Sequence, residues 1–192
     1  MTSDEIPPAQ PQGNPFAAEH THPWRRYFAK HVDVTLAIVA IIGLMVGVVL
    51  LTGPAPAWLL VVLGNPFVAV ILFVAIWVPL EAVLLATLGT TPARWIFGIT
   101  VRGIDGGKLS LEQSLKRSAL FAIQGLGLGI PIIAIFTQYF GYRRLTHTGT
   151  TLWDTAAESV VTHVEWGFGR ALACTLVAML MMCVQVVGAL MP

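Results

Sequence analysis

The stretch Trp24–Leu51, WRRYFAKHVDVTLAIVAIIGLMVGVVLL, decides the fold class. It opens with Arg25, Arg26, Lys30, His31 and Asp33, and Val34–Leu51 then carries no charge. A helix rises ~1.5 Å per residue, so ~20 mostly apolar residues cross the ~30 Å hydrocarbon core of a bilayer. Val34–Leu51 therefore reads as a membrane span with a charged end. Three further runs match it: Phe67–Leu88, whose one charge is Glu81, Ala119–Thr137 and Ala171–Met191. Lipid offers no partner to unpaired backbone groups, so each is expected to be helical. Trp58–Leu63 is too short to span and either lies at the interface or extends the second helix. The expected fold is all-α, a multi-pass transmembrane helical bundle of four spans with a small cytoplasmic helix–hairpin–helix connection.

Composition agrees. Hydrophobic residues make up 56% of the 192 and charged residues 11%, against ~25% charged in soluble domains. The bilayer is thus the first partner. No basic block suggests nucleic acid. Cys174 and Cys183 fall on opposite sides of one helix, which excludes a shared metal or mutual disulfide there. Residues 1–22, rich in Pro, Gln and Ala, read as a disordered tail in which His20 and His22 are solvated.

Lys and Arg orient the chain. With both termini cytoplasmic, eight of the eleven basic residues are inside, and Arg143, Arg144 and Arg170 are outside with Phe140–Gly169. Thr52–Pro66 is also placed outside. Trp24, Trp58, Tyr139, Tyr142 and Trp166 flank the spans as an aromatic belt would. The run Ala119–Thr137 has an alternative, because GLGLGIP puts three glycines and Pro131 at its middle. A re-entrant hairpin would return Arg143 and Arg144 to the cytoplasm. In the second connection, Thr91, Pro92 and Gly98 mark a short helix. ITVRGIDGGKLS reads as a hairpin turning at Asp105-Gly106-Gly107, and Ser110 and Gln113 form a capping box.

The polar residues suggest a site. Arg26, Lys30 and Asp33 share one helix face, and Ala37 and Ala40 extend that stripe beside a Gly43–Gly47 packing pattern. Glu81 lies about 10 Å below the cytoplasmic surface, at ~1.5 Å per residue. Acids in spans usually face the protein interior or a water-filled cavity. Arg117 and Gln124 approach from the third run, so Arg26, Asp33, Glu81, Arg117 and Gln124 are expected to converge near the inner leaflet. Two roles follow: a cation or proton site that titrates during transport, or a buried ion-pair network that fixes packing. In the first, Glu81 lacks a cation on its own helix and is the more easily protonated acid, while Arg26 and Lys30 hold Asp33. GLGLG follows no strand and GGKL lacks the hydroxyl of a phosphate loop. With no catalytic constellation, enzyme chemistry is the least supported class, and neither a cofactor nor a metal is implied. A thin four-helix wall suggests a homo-oligomer or another membrane-protein partner.

RYFAKHVD (Arg26–Asp33), GTTPARWIFGITV (Gly89–Val101) with DGGKLSLEQSLKR (Asp105–Arg117), and LWDTAAESVV (Leu152–Val161) resemble the RDD family of bacterial membrane proteins. The resemblance covers roughly Pro23–His163, implying residues 23–163 as an RDD-like transmembrane domain and 164–192 as an additional C-terminal helix. It implies an inner-membrane location and suggests transport of an ion or small solute. The alternative is a non-transporting structural or assembly subunit. The name-giving residues map to Arg26, Asp33 and Asp154. Ala93-Arg94 replaces the family's usual Gly-Lys, and Trp153 its histidine. Only through this resemblance does Asp154 join the candidate cluster, and pairing it with Arg26 would require the re-entrant arrangement.

Overall fold

The computed structural model describes residues 22–127 and 130–190. The expected tail lies outside them except for His22, as do Gly129 of the GLGLGIP stretch and Met191 of the last run. Helix α1 (Pro23–Thr52) begins with proline in its first turn, where a missing N–H costs nothing. A short α2 (Ala57–Gly64) leads to α3 (Pro66–Leu88). Asn65 caps α3 by accepting from the Phe67 and Val68 amides at 3.0 and 3.3 Å. Then come α4 (Pro92–Ile96), β1 (Ile99–Gly103), α5 (Leu111–Gln124), α6 (Pro131–Thr148), α7 (Leu152–Ala156), β2 (Ser159–His163) and α8 (Phe168–Leu190). The chain is mostly helical. Among the described residues, α1 and α3 are the helices long and apolar enough to cross a membrane, and the described apolar stretch of α8 is shorter.

Three expectations require correction. Ala119–Thr137 is not one continuous helix: α5 ends at Gln124, and a new helix begins at Pro131, which has no amide to continue a ladder. Gly127 turns the chain at φ +56, where a Cβ would sit 2.7 Å from the Ala134 nitrogen, so only glycine lets α6 fold back this closely. Second, β1 does not pair with the residues after its turn. The Gly103 amide donates to the Gly107 carbonyl and Asp105 accepts from the Gly107 amide, a tight turn that leads into the Ser110 cap. The partner of β1 is β2, antiparallel, with Val101 opposite Val161. The fold is therefore helical with a two-stranded sheet. Third, Ser159–His163, expected across the membrane from the second connection, lies beside it, because these residues are hydrogen-bonded to Ile99–Gly103.

The sheet relates two similar pieces. Gly89 and Gly149 end α3 and α6 at φ 72 and 74, and Thr91 and Thr151 N-cap α4 and α7. Gly98 and Glu158 both turn left-handed, at φ 63 and 50, before the strands. Every pair is separated by the same interval, and Val101 faces its own counterpart, Val161. The two pieces thus meet across a local two-fold axis. The core follows this axis: Ala29, Val32, Leu85, Phe97, Val101, Val161 and Cys174 are buried together. Burial on α1 stops at Ala37 and on α3 begins at Trp77, so both helices pack over only the half nearest the sheet.

Candidate functional site

Helix α4 is five residues long, and its ends are held by other elements. At its start, Asp33 accepts from the Thr91 hydroxyl and from the Ala93 amide at 2.9 Å. Such bonds satisfy donors that a helix start leaves open. At its end, Arg25 donates to the Phe97 carbonyl at 2.7 Å, Trp166 Nε1 to the same oxygen at 3.1 Å, and Arg170 to the Ile96 and Trp95 carbonyls. Asp33 is therefore a capping acid borrowed from α1. The expected pairing of Asp33 with Arg26 and Lys30 is corrected, because those cations bond to other acids.

Clamped in this way, α4 presents Arg94 to Glu81 at 2.7 Å, and Lys30 from α1 binds the other oxygen of the same carboxylate. Lys30 also lies 4.0 Å from the centroid of the Phe121 ring, a favourable cation–π placement. Glu81 is fully buried. Its own helix supplies no cation, but two neighbouring helices do. The expectation of an easily protonated Glu81 is overturned by this double pairing.

The second half-cluster surrounds Asp154. Arg26 Nη1 reaches one oxygen at 3.0 Å and Arg117 the other at 2.7 Å. Thr151 caps α7 by accepting from the Asp154 amide, which fixes that residue's position. Burial opposes ionisation of Asp154, yet Arg117 and Arg26 outweigh it and hold the carboxyl below its ordinary range. Nearby on β2, His163 is pushed down to about 3, first by burial and then by Arg26 and Arg25.

The structure therefore brings Arg26, Glu81, Arg117 and Asp154 into two adjoining ion-pair groups, with Asp33 behind them at the α4 cap. Gln124 does not join: its Oε1 is buried without a hydrogen-bond partner. Lys30, expected beside Asp33, joins the cluster through Glu81 instead, and Arg94 belongs to it although spacing did not select it. The signal for Arg94 was its place in GTTPARW, two residues after a helix-starting proline.

Beside the cluster lies a cavity of about 400 Å³ between α1, α5, α6 and α7. Arg26, Lys30, Arg94, Arg117 and Asp154 form its polar wall, with Trp24 and Tyr142 among its aromatic residues. Two wall residues retain buried donors without partners, Arg94 Nη1 and Arg26 Nε. Among the described residues, no group of His, Cys, Asp and Glu has a metal-holding arrangement.

The RDD family profile matches residues 20–158, which takes in α1, the cluster and the cavity. The chain belongs to the RDD family. That places it among membrane proteins, in accord with its two long apolar helices. Comparison with curated proteins and with solved structures gives no match. The match ends at Glu158, so α8 of this RDD protein lies beyond it.

Proposed function

We propose that this RDD protein is a multi-pass inner-membrane protein that binds and moves a small solute through the cavity beside its ion-pair cluster. One observation carries the reading: Arg26, Lys30, Arg94 and Arg117 line a cavity large enough for a small ligand, and two of these arginines hold a buried nitrogen without a hydrogen-bond partner. A network built only to fix packing would not need a cavity of this size beside it.

The proposed topology has α1, α3 and α8 as spans and α5–α6 as a re-entrant hairpin. The amino end is cytoplasmic and the carboxyl end lies across the membrane, in place of two cytoplasmic termini. All eleven Lys and Arg residues are then cytoplasmic, which fits the positive-inside bias better than four spans do. A cysteine at Thr148 should be labelled from outside only after the membrane is opened. Labelling in intact cells would refute the hairpin. Gly43 and Gly47 have nothing within 4 Å of a built Cβ, so a second copy or another membrane protein could pack there.

The alternative role, a structural or assembly subunit, draws support from the pairing of Glu81 and Asp154 with two cations each. Flux from liposomes containing the purified chain separates the two. Solute movement above empty vesicles is expected. Its absence for ions and small solutes of either charge would favour the structural role.

A further inference from the structure

We propose that the cavity is an anion site, taking a phosphate-class oxyanion at Arg94 and Arg26. This deepens the solute reading above and rests on it. The first support is a charge count. The cluster holds four cations, Arg26, Lys30, Arg94 and Arg117, and three carboxylates, Asp33, Glu81 and Asp154. All except Arg26 are buried. The buried Lys30, Arg94 and Arg117 balance the three carboxylates, and the surplus positive charge belongs to the half-buried Arg26 at the cavity wall.

The distribution of those charges sharpens the point. All four cations line the cavity, whereas Asp154 is the one carboxylate of the three that does. A ligand entering from the cavity therefore meets a positive wall. Arg94 is 6% exposed, and its Nη1 has no partner while its Nη2 binds Glu81. Arg26 likewise uses Nη1 on Asp154 and leaves Nε unbonded. Water could accept from these donors but would leave the surplus charge unanswered. An oxyanion does both, and guanidinium–phosphate bonds are among the strong charge-assisted ones.

The local two-fold axis shows where a carboxylate can be introduced into the lining. Glu81 stands on α3 eight positions before its capping Gly89, and Gly141 stands eight before Gly149 on α6. The first half pairs Glu81 with Arg94, whereas the second has no side chain at 141 and an acid, Asp154, in the place of Arg94. Gly141 is also a lining residue of the cavity. A Cβ at position 141 would sit 3.3 Å from the Trp153 ring, so a carboxylate placed there presses directly on the cavity lining. Tyr27, Tyr139 and Tyr142 extend the lining, which suits either the headgroup of an anionic lipid or free phosphate.

The test uses the full chain in phosphatidylcholine nanodiscs, following thermal unfolding and tryptophan fluorescence. One arm adds inorganic phosphate, and a second mixes phosphatidylglycerol into the discs. At least one is expected to raise Tm and shift the emission: phosphate alone if the source is soluble, phosphatidylglycerol alone if it is lipid. Arg94→Lys keeps a cation for Glu81 but removes the second guanidinium nitrogen, and should weaken the response about tenfold, a loss on the scale of one charge-assisted hydrogen bond. Gly141→Asp supplies a carboxylate from within and should abolish the response. If neither anion acts on the wild type, or Arg94→Lys responds unchanged, the anion site is refuted. If a cation or neutral solute still crosses liposomes in that case, the solute cavity survives. If nothing crosses and nothing binds, both readings fail.

Discussion

Leu85–Gly103 and Leu145–His163 trace nearly the same path with different chemistry. Each ends a long helix at a left-handed glycine, places threonine at the N-cap position of a five-residue helix and enters a strand through a left-handed residue. What the copies share is the set of positions that control backbone direction. What they do not share is charge: Arg94 in the first copy is Asp154 in the second, and Glu81 before the first is Gly141 before the second. The backbone thus brings two equivalent positions to one axis, and the side chains make them opposite poles of a single cluster.

The comparison can be broken most severely at its carboxylates. Glu81→Gln strands Lys30 and Arg94, and is expected to cost ~3–5 kcal/mol, seen as low abundance and a lower Tm in detergent. Asp154→Asn strands Arg117 and the less buried Arg26 and should cost somewhat less. If Glu81→Gln accumulates and melts like the wild type, the buried ion pairs do not hold the halves together. Asp33→Asn retains an acceptor for α4 but loses its charge, so a cost of about 1–2 kcal/mol is expected. That is a capping loss, with Arg26 still paired to Asp154. It would be contradicted by a loss as large as that of Glu81→Gln.

Acid should weaken the second copy gradually. The unfolded chain protonates His163 near 6.5, whereas the folded chain resists until about 3. A depressed folded pKa means that stability is complete above the unfolded value and falls as pH drops through the window between the two. Asp154, held below its usual range, adds to the loss only at the more acid end. His163→Gln should flatten the dependence of Tm on pH between neutrality and about pH 5. An unchanged slope would mean that another group sets it. The smallest effect sharpens the backbone match. Glu158 adopts φ 50 where the first copy has Gly98. Glu158→Gly should therefore stabilise by about 0.5–1 kcal/mol, since a side chain is strained there. A fall in Tm would show that the Glu158 side chain contributes more than its strain costs.

Much of the architecture was legible because it rests on local rules. Apolar length identified the long helices, and Thr91-Pro92 and Ser110–Gln113 marked helix starts. The break in Ala119–Thr137 was visible in its glycines and Pro131, but hydropathy cannot tell a span from a hairpin of equal length. The strand pairing was not legible, because Asp105-Gly106-Gly107 is sound hairpin chemistry and the true partner of β1 lies beyond α6. In the cluster, spacing gathered residues by helix face and so assigned Arg26 and Lys30 to Asp33. The actual pairs cross between helices, where sequence spacing carries no information. Asp154 became visible only through the family blocks.

The link between Arg26 and Asp154 spans 128 residues, and this separation has a consequence during synthesis. At ~5–20 residues per second, Arg26 waits on the order of ten seconds for its acid to be made. Arg117 emerges in the same interval and also lacks Asp154. Until α7 follows, the amino-terminal end of α1 holds a cation, Arg26, without its final partner, and β1 has no strand to pair with. Closure is therefore a late event. A ribosome stalled shortly before Leu152 would hold a chain whose first helices are complete but whose Asp154 pole is missing, open to quality-control proteases until the last fifth of the sequence arrives.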